Sequence, residues 1–228
     1  RLQKALYKDP KIGAVGPICN QKENFQNGMY TFETYEEMQE VAKTFQDMEE
    51  PILEEKVFLI GFCLLIKREV MDKIGKLEEA YTPGYVEDND LCLEIIKQGY
   101  HLMLCHNSFV YHYLGTSFHK DWDLFYQILF RNRKYFEQKW GFSTDVYEQT
   151  KSASWPFIKN PKKILVLNCH IGISILKLKF QWNQCTFHGV ESKEFERKIA
   201  QNFAPVFSCI DEIKNETYDY ILLGDLLE

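Results

Sequence analysis

Pro83-Gly84-Tyr85-Val86-Glu87-Asp88-Asn89-Asp90-Leu91-Cys92-Leu93 sets three carboxylates within four residues, between a Pro-Gly turn and an apolar run of helical spacing. A turn, an acidic cluster and then a helix can hold a carboxylate at the edge of a cleft. Crowded like charges also raise the pKa of one member of such a cluster. The plainer reading is an acidic, solvated helix N-terminus that complements the helix dipole. Asp90 reads as the N-cap, and Leu91, Cys92, Ile95 and Ile96 as the apolar face behind it, closed by Gly99.

Outward from this stretch the chain reads as alternating strands and helices. Upstream, residues 1–8 read as the end of a helix, Lys11–Cys19 as a strand, and Tyr35–Glu49 as a helix with Met38, Val41, Ala42 and Phe45 on one face. The apolar run Val57–Ile66 reads as one buried strand in which Gly61 is a bulge or a point of close approach. Lys67–Gly75 follows as a short helix. Downstream, Tyr100–Cys105 reads as a strand continued by an edge strand to Tyr113, with His106, Ser108, Val110 and His112 sharing one face. Residues 121–140 form an aromatic-rich helix. Residues 142–160 turn polar, then reach Trp155-Pro156, as a linker does. Beyond it, strands at Lys163–Cys169, Thr186–Val190 and Tyr218–Leu223 alternate with helical segments at Ile173–Lys179 and Ser192–Asn202. This is a β-α-β-α-β Rossmann-like beginning that breaks off at Glu228.

The bulk properties bound the function. The 228 residues carry 45% hydrophobic and 15% aromatic side chains, which is globular composition, and a formal net charge of −6, which argues against a nucleic-acid binder. No apolar run approaches the ~18–20 residues of a membrane-spanning helix, and Arg1-Leu2-Gln3-Lys4 opens no signal peptide. A chain that does not begin with Met reads as a fragment. Seven scattered cysteines with no Cys-x-x-Cys pair read as buried free thiols of a reducing, cytoplasmic environment and argue against zinc.

An ordered set of landmarks in the first 140 residues resembles the C-terminal, acceptor-side half of a family 2 glycosyltransferase of the GT-A fold. They are Ile12–Pro17, Gly61–Arg68, Ile74–Glu79, Glu87-Asp88-Asn89-Asp90-Leu91, Gly99-Tyr100, His112-Tyr113-Leu114-Gly115-Thr116-Ser117 and Arg131–Gly141. The fold class implied is α/β: a partial GT-A sheet with flanking helices over residues 1–141, a linker at 142–160, and a truncated Rossmann-like unit at 161–228. The resemblance implies an inverting sugar transferase of bacterial surface polysaccharide or glycan synthesis. It would take a nucleotide-sugar donor and a glycan or lipid-linked acceptor, at the cytoplasmic side and peripherally at the inner face of a membrane. Asp88 would be the catalytic base with Glu87 as its helper, and Gly61 would line the acceptor pocket. His112 would reach a divalent metal (Mg or Mn) or the diphosphate, and Ser117 a phosphate. Sheet-edge histidine, turn serine and packing glycine are the plain readings of the last three. Two departures stand out. The family's donor-binding half, with its Asp-x-Asp motif, would have to lie upstream of Arg1, so the fragment is expected to be inactive alone. Glu94 also stands where relatives carry arginine.

The last 68 residues resemble the start of a class I methyltransferase dependent on S-adenosylmethionine (SAM). Ile164–Gly172 takes the place of that family's glycine-rich loop, but Val166 replaces its acid, Asn168 and His170 replace two glycines, and Gly172 alone is kept. Glu191 stands where the family binds the ribose; its plain reading is a strand-end carboxylate. Glycine lets a backbone approach a cofactor closely, so the eroded loop speaks against SAM while the fold speaks for it. Two alternatives follow: a SAM-dependent methyltransferase whose first part only binds substrate, and a non-catalytic interaction module.

Overall fold

A computed structural model describes residues 1–20, 26, 34–45, 48–113, 122–147, 155 and 157–224. The chain is mixed α/β and divides into two compact units, Arg1–Asn132 and Arg133–Glu228.

In the first unit, helix α1 (Leu2–Leu6) leads into strand β1 (Ile12–Cys19), every residue of which is buried. Ala5, Leu6, Ile12, Val15 and Cys105 form the core beneath α1. Helix α2 (Tyr35–Thr44) starts on a capping box in which Thr34 accepts from the Glu37 N–H and Glu37 returns the bond. Strands β2 (Leu53–Lys56) and β3 (Leu65–Ile66), helices α3 (Arg68–Ile74) and α4 (Glu87–Lys97), and strand β4 (His101–Val110) follow. The sheet order is β2-β4-β1-β3, with β1 and β4 parallel and the outer strands antiparallel. Gly13 lets α4 and its following turn close onto β1: a Cβ there would lie 2.7 Å from Cβ of Tyr100 and 2.9 Å from Cγ2 of Ile95. Helix α5 (Trp122–Trp140) follows β4.

One expectation is corrected here. Val57–Ile66 is not one strand: only Leu65–Ile66 pairs. Its backbone donors are taken instead by side chains, as Cys92 Sγ meets Leu59 N, Gln26 Oε1 accepts from Ile60 N, and Asp88 Oδ2 accepts from Gly61 N. The strand lies earlier, in the charged Leu53–Lys56. There Glu54 pairs with His106 at 2.8 Å and with Lys56 at 2.7 Å, and Glu55 pairs with His101. Burial pushes the Glu54 carboxyl upward, but His106 and Lys56 outweigh it and hold it below its usual value. Strand β4 is flanked on both sides only along Leu102–Cys105, where β2 pairs with it; among the described residues its continuation at Phe109 and Val110 pairs with β1 alone.

In the second unit four parallel strands, β5 (Lys163–Leu167), β6 (Thr186–Val190), β7 (Val206–Phe207) and β8 (Tyr220–Leu223), lie in the order β7-β6-β5-β8. Helices α6 (Ile173–Gln181) and α7 (Glu194–Ala200) connect the first three. This is a Rossmann-like arrangement, with Ile164, Val166, Ile175, Leu178, Phe187 and Leu222 in its core. The chain winds outward from β5 through β6 to β7, then returns to the other side of β5. The carboxyl ends of β5 and β8 therefore flank a topological switch point, where open α/β sheets place ligands.

Among the described residues, no helix is long and apolar enough to cross a membrane. All seven cysteines are free.

Candidate functional site

The acidic stretch forms the first turn of α4 rather than a cap in front of it. Val86 is the N-cap, in a left-handed conformation (φ 75°), and Tyr85 beside it is also left-handed (φ 71°). A β-branched residue there is a genuine outlier that costs about 1–3 kcal/mol, so the surroundings must hold it. Asn132, fully buried, does so: its Nδ2 donates to the carbonyls of Tyr81 (2.8 Å), Gly84 (2.7 Å) and Tyr85 (2.9 Å). Arg131 adds a bond to the Thr82 carbonyl, and the Tyr85 ring meets Phe125 edge-on. Asp90, expected as the N-cap, lies inside the helix, 3% exposed, and accepts from the Tyr81 hydroxyl at 3.2 Å.

This frame aims Asp88 at the irregular segment before β3. Its Oδ2 accepts from Gly61 N at 3.1 Å and its Oδ1 from Asn89 N at 2.9 Å. Cys92, one turn on, meets both backbone groups of Leu59, so positions i and i+4 of α4 together hold the 59–61 segment. Burial pushes the Asp88 carboxyl up to about 6; the Gly61 N–H opposes this and the charge of Glu87 adds to it. One Glu87 oxygen is buried without a hydrogen-bond partner. Gly61 does make a close approach, since a Cβ there would lie 3.5 Å from Cβ of Asp88. The next residue, Phe62, stacks on His112 with ring centroids 4.8 Å apart, and the His112 backbone is clasped by Asn20. Asp88 and His112 thus meet the Gly61-Phe62 dipeptide, and Glu87 adjoins Asp88 in the chain. Ser117 lies outside the described residues. Asn132 and Cys92 were not legible as parts of this site, because an asparagine in a helix interior and a cysteine on an apolar helix face carry no spacing signal.

The second constellation surrounds the loop after β5. Asn168 (φ 49°), His170 (φ 46°) and Gly172 (φ 89°) all take the left-handed conformation. The loop therefore keeps the backbone of a glycine-rich turn at two positions where glycine is absent. Glu191, at the carboxyl end of β6, is 2% exposed, and its carboxylate accepts from His170 N and from Lys193 N, both at 2.9 Å. Glu196 of α7, 1% exposed, holds His170 Nδ1 at 2.6 Å. The Glu196 bond raises the His170 pKa above its ordinary value against the effect of burial. Burial raises the Glu196 carboxyl, but His170 and Lys193 outweigh it and hold the group below its ordinary value. Gly172 opens α6, and Gly224, just past β8, donates to the Leu167 carbonyl at 2.7 Å. A Cβ on Gly224 would fall 2.3 Å from the Asn168 carbonyl oxygen. Among the described residues, the metal-ligand atoms that converge within 4.8 Å are those of His170, Glu191 and Glu196; His112 belongs to no such group.

No family model matches the chain, and no curated protein matches it. Among solved structures, the plantazolicin methyltransferase BpumL in complex with SAH is 25% identical over 35% of this chain and 31% of that chain, with a TM-score of 0.25. The same enzyme with SAH and a pentazolic desmethylPZN analogue is 19% identical over 40% of this chain and 31% of that chain, with a TM-score of 0.24. The chain thus spans about a third of the length of these structures. At such TM-scores the likeness carries nothing about individual residues. The structures named here are all of a methyltransferase, in agreement with the alternative reading and not with the expected inverting sugar transferase. The inverting sugar transferase is therefore not carried further as the reading of this chain, and nothing in these comparisons supports a Mg or Mn ion.

Proposed function

We propose that the second unit binds S-adenosylmethionine and that the chain is part of a methyltransferase. One observation carries this reading. A three-point left-handed loop follows the first strand, and its His170 N–H is tied to a carboxylate at the end of the neighbouring strand, Glu191, beside the switch point of a β7-β6-β5-β8 sheet. SAM would supply a methyl group on a sulfonium for attack by a nucleophilic substrate. The residues present fit the nucleoside end of such a molecule. Glu191 offers acceptor oxygens to ribose hydroxyls, Gly172 keeps the start of α6 free of a side chain, and Gly224 allows the segment past β8 to approach the loop. Asn168 and His170 fit in backbone conformation, while their side chains add bulk where glycine would leave space. Glu191 is almost fully covered, so a ribose reaches it only as the 168–172 loop shifts. Residues 161–228 would be the cofactor-binding part. In the first unit, the strained turn and the raised carboxyl of Asp88 support a polar substrate-binding pocket formed with Glu87, Gly61 and His112.

Calorimetric titration with SAM and S-adenosylhomocysteine tests the reading. Micromolar binding that is lost in Glu191→Ala supports it. Absence of binding, or binding that survives loss of Glu191, overturns it.

A further inference from the structure

The β5–α6 loop poses a local problem. Left-handed backbone costs a residue with a Cβ about 1 kcal/mol or more. Asparagine bears it comparatively well; His170, with its larger ring, has to be held. Two carboxylates hold it from two different elements. Glu191, after β6, accepts from its backbone N–H, and Glu196, on α7, accepts from its ring Nδ1 at 2.6 Å. The second contact is not needed to satisfy the backbone, and it lies outside the ribose-binding role given to Glu191.

We propose that Glu196 is a positioning residue that fixes the β5–α6 loop, holding His170 from α7 in the conformation that a glycine would adopt unaided. This deepens, and rests on, the cofactor-site reading only in what the loop is for. The charged groups facing the imidazole are Glu196 and Lys193 from the α7 side and Glu191 from the end of β6; Cys169, its neighbour in the loop, has its thiol pushed up to about 12 by burial and by the two glutamates. Both oxygens of Glu191 already accept backbone N–H bonds, and the Lys193 ammonium stands 3.4 Å from the other oxygen of Glu196.

The sign of the pH dependence follows. The His170 pKa is raised on folding, so its contribution is complete below the ordinary value of 6.5 and is lost as pH rises through the folded value. The Glu196 pKa is lowered, so its contribution is present above 4.5 and is lost as pH falls through the folded value. The contact is therefore worth most between 4.5 and 6.5.

The test is a double-mutant cycle on the full chain, read as urea unfolding from pH 5 to 9, with Glu196→Gln, His170→Gly and the pair. Glu196→Gln alone is expected to lower the unfolding constant's protection about tenfold near pH 6. In the His170→Gly background, where the backbone needs no holding, the same change is expected to do almost nothing. The wild-type fall in stability above pH 6.5 is expected to vanish in His170→Gly, a comparison that survives even if Glu196→Gln folds poorly. Equal costs of Glu196→Gln in both backgrounds, or a pH profile unchanged by His170→Gly, overturn the proposal by making Glu196 an ordinary buried residue. Stabilisation by micromolar zinc that requires Glu196 overturns it by making the cluster a metal site. Titration with S-adenosylhomocysteine separates the two claims: failure of wild type to bind sinks the cofactor reading, while the cycle alone decides the positioning role.

Discussion

Replacing Asp88 with asparagine should stabilise the first unit at neutral pH and destabilise it slightly in acid. The folded carboxyl titrates at about 6 against an ordinary 3.8, chiefly because burial penalises the charge. The folded chain holds that proton longer than the unfolded chain does. Stability is therefore lost as pH rises from 3.8 to about 6, and the penalty stays constant above that. At about 1.36 kcal/mol per pH unit the full penalty is about 3 kcal/mol, an upper figure because the side chain keeps some exposure to water. Asparagine removes the charge but accepts through one oxygen only. It can serve Gly61 N or Asn89 N, not both through separate oxygens, at a cost of about 1 kcal/mol. The net expectation is a gain of about 2 kcal/mol at pH 8 and a loss of about 1 kcal/mol at pH 3.5. Urea unfolding at both pH values, followed by hydrogen exchange of β1 and β4 amides so that the first unit is read by itself, measures the two differences. An Asp88→Asn effect with the same sign and size at both pH values would refute the buried-carboxylate argument. A stabilising substitution there would also fit the general pattern in which a binding or catalytic group is kept at the expense of stability.

Asn132→Asp should be worse than Asn132→Ala, although it is the smaller chemical change, because it aims a carboxylate at the three carbonyls that Nδ2 now serves. Each loss should reach about 2 kcal/mol or more in thermal or urea melts. Gly13→Ala should cost about 1–3 kcal/mol by overpacking against Tyr100 and Ile95, and Tyr100→Ala in the same chain should recover part of it. Alkylation read by mass spectrometry should label exposed Cys209 first, while Cys92 and Cys169, buried with thiol pKa values raised by burial, stay unlabelled until the chain unfolds.

The second unit was largely legible in the sequence, because Lys163–Leu167 and Thr186–Val190 are β-rich runs separated by helical spacing. Only β7, two residues long, gave no periodic signal. In the first unit the reading failed where hydrophobicity and hydrogen bonding part company. Val57–Ile66 is as apolar as any strand, but a strand needs a neighbour to take its backbone groups. At Leu59, Ile60 and Gly61 that work is done by Cys92, Gln26 and Asp88, three residues distant in sequence. Conversely, Leu53–Lys56 looks too charged for a strand until His101 and His106 are seen opposite its glutamates.

The same distinction decides how the loop after β5 is read. A missing glycine is evidence against a close backbone approach only if nothing else can enforce the left-handed conformation. Asn168 tolerates that conformation by itself, and His170 has a carboxylate on its N–H and another on its ring. Conformation is therefore not where the eroded motif is deficient; side-chain volume is. The His170 ring remains in a place where glycine would leave space, its Nδ1 3.8 Å from an oxygen of the 2%-exposed Glu191. His170→Gly should then pull in two directions. It removes the ring and uncovers Glu191, which favours a nucleoside ligand, and it frees a loop that the ligand must then reorder at about 1–2 kcal/mol per residue of backbone. If removal of bulk dominates, calorimetry on His170→Gly will show tighter binding of S-adenosylhomocysteine with a smaller enthalpy of loop rearrangement. Weaker binding with a larger entropic penalty would mean that the wild-type chain uses the histidine to preorganise the site rather than to obstruct it.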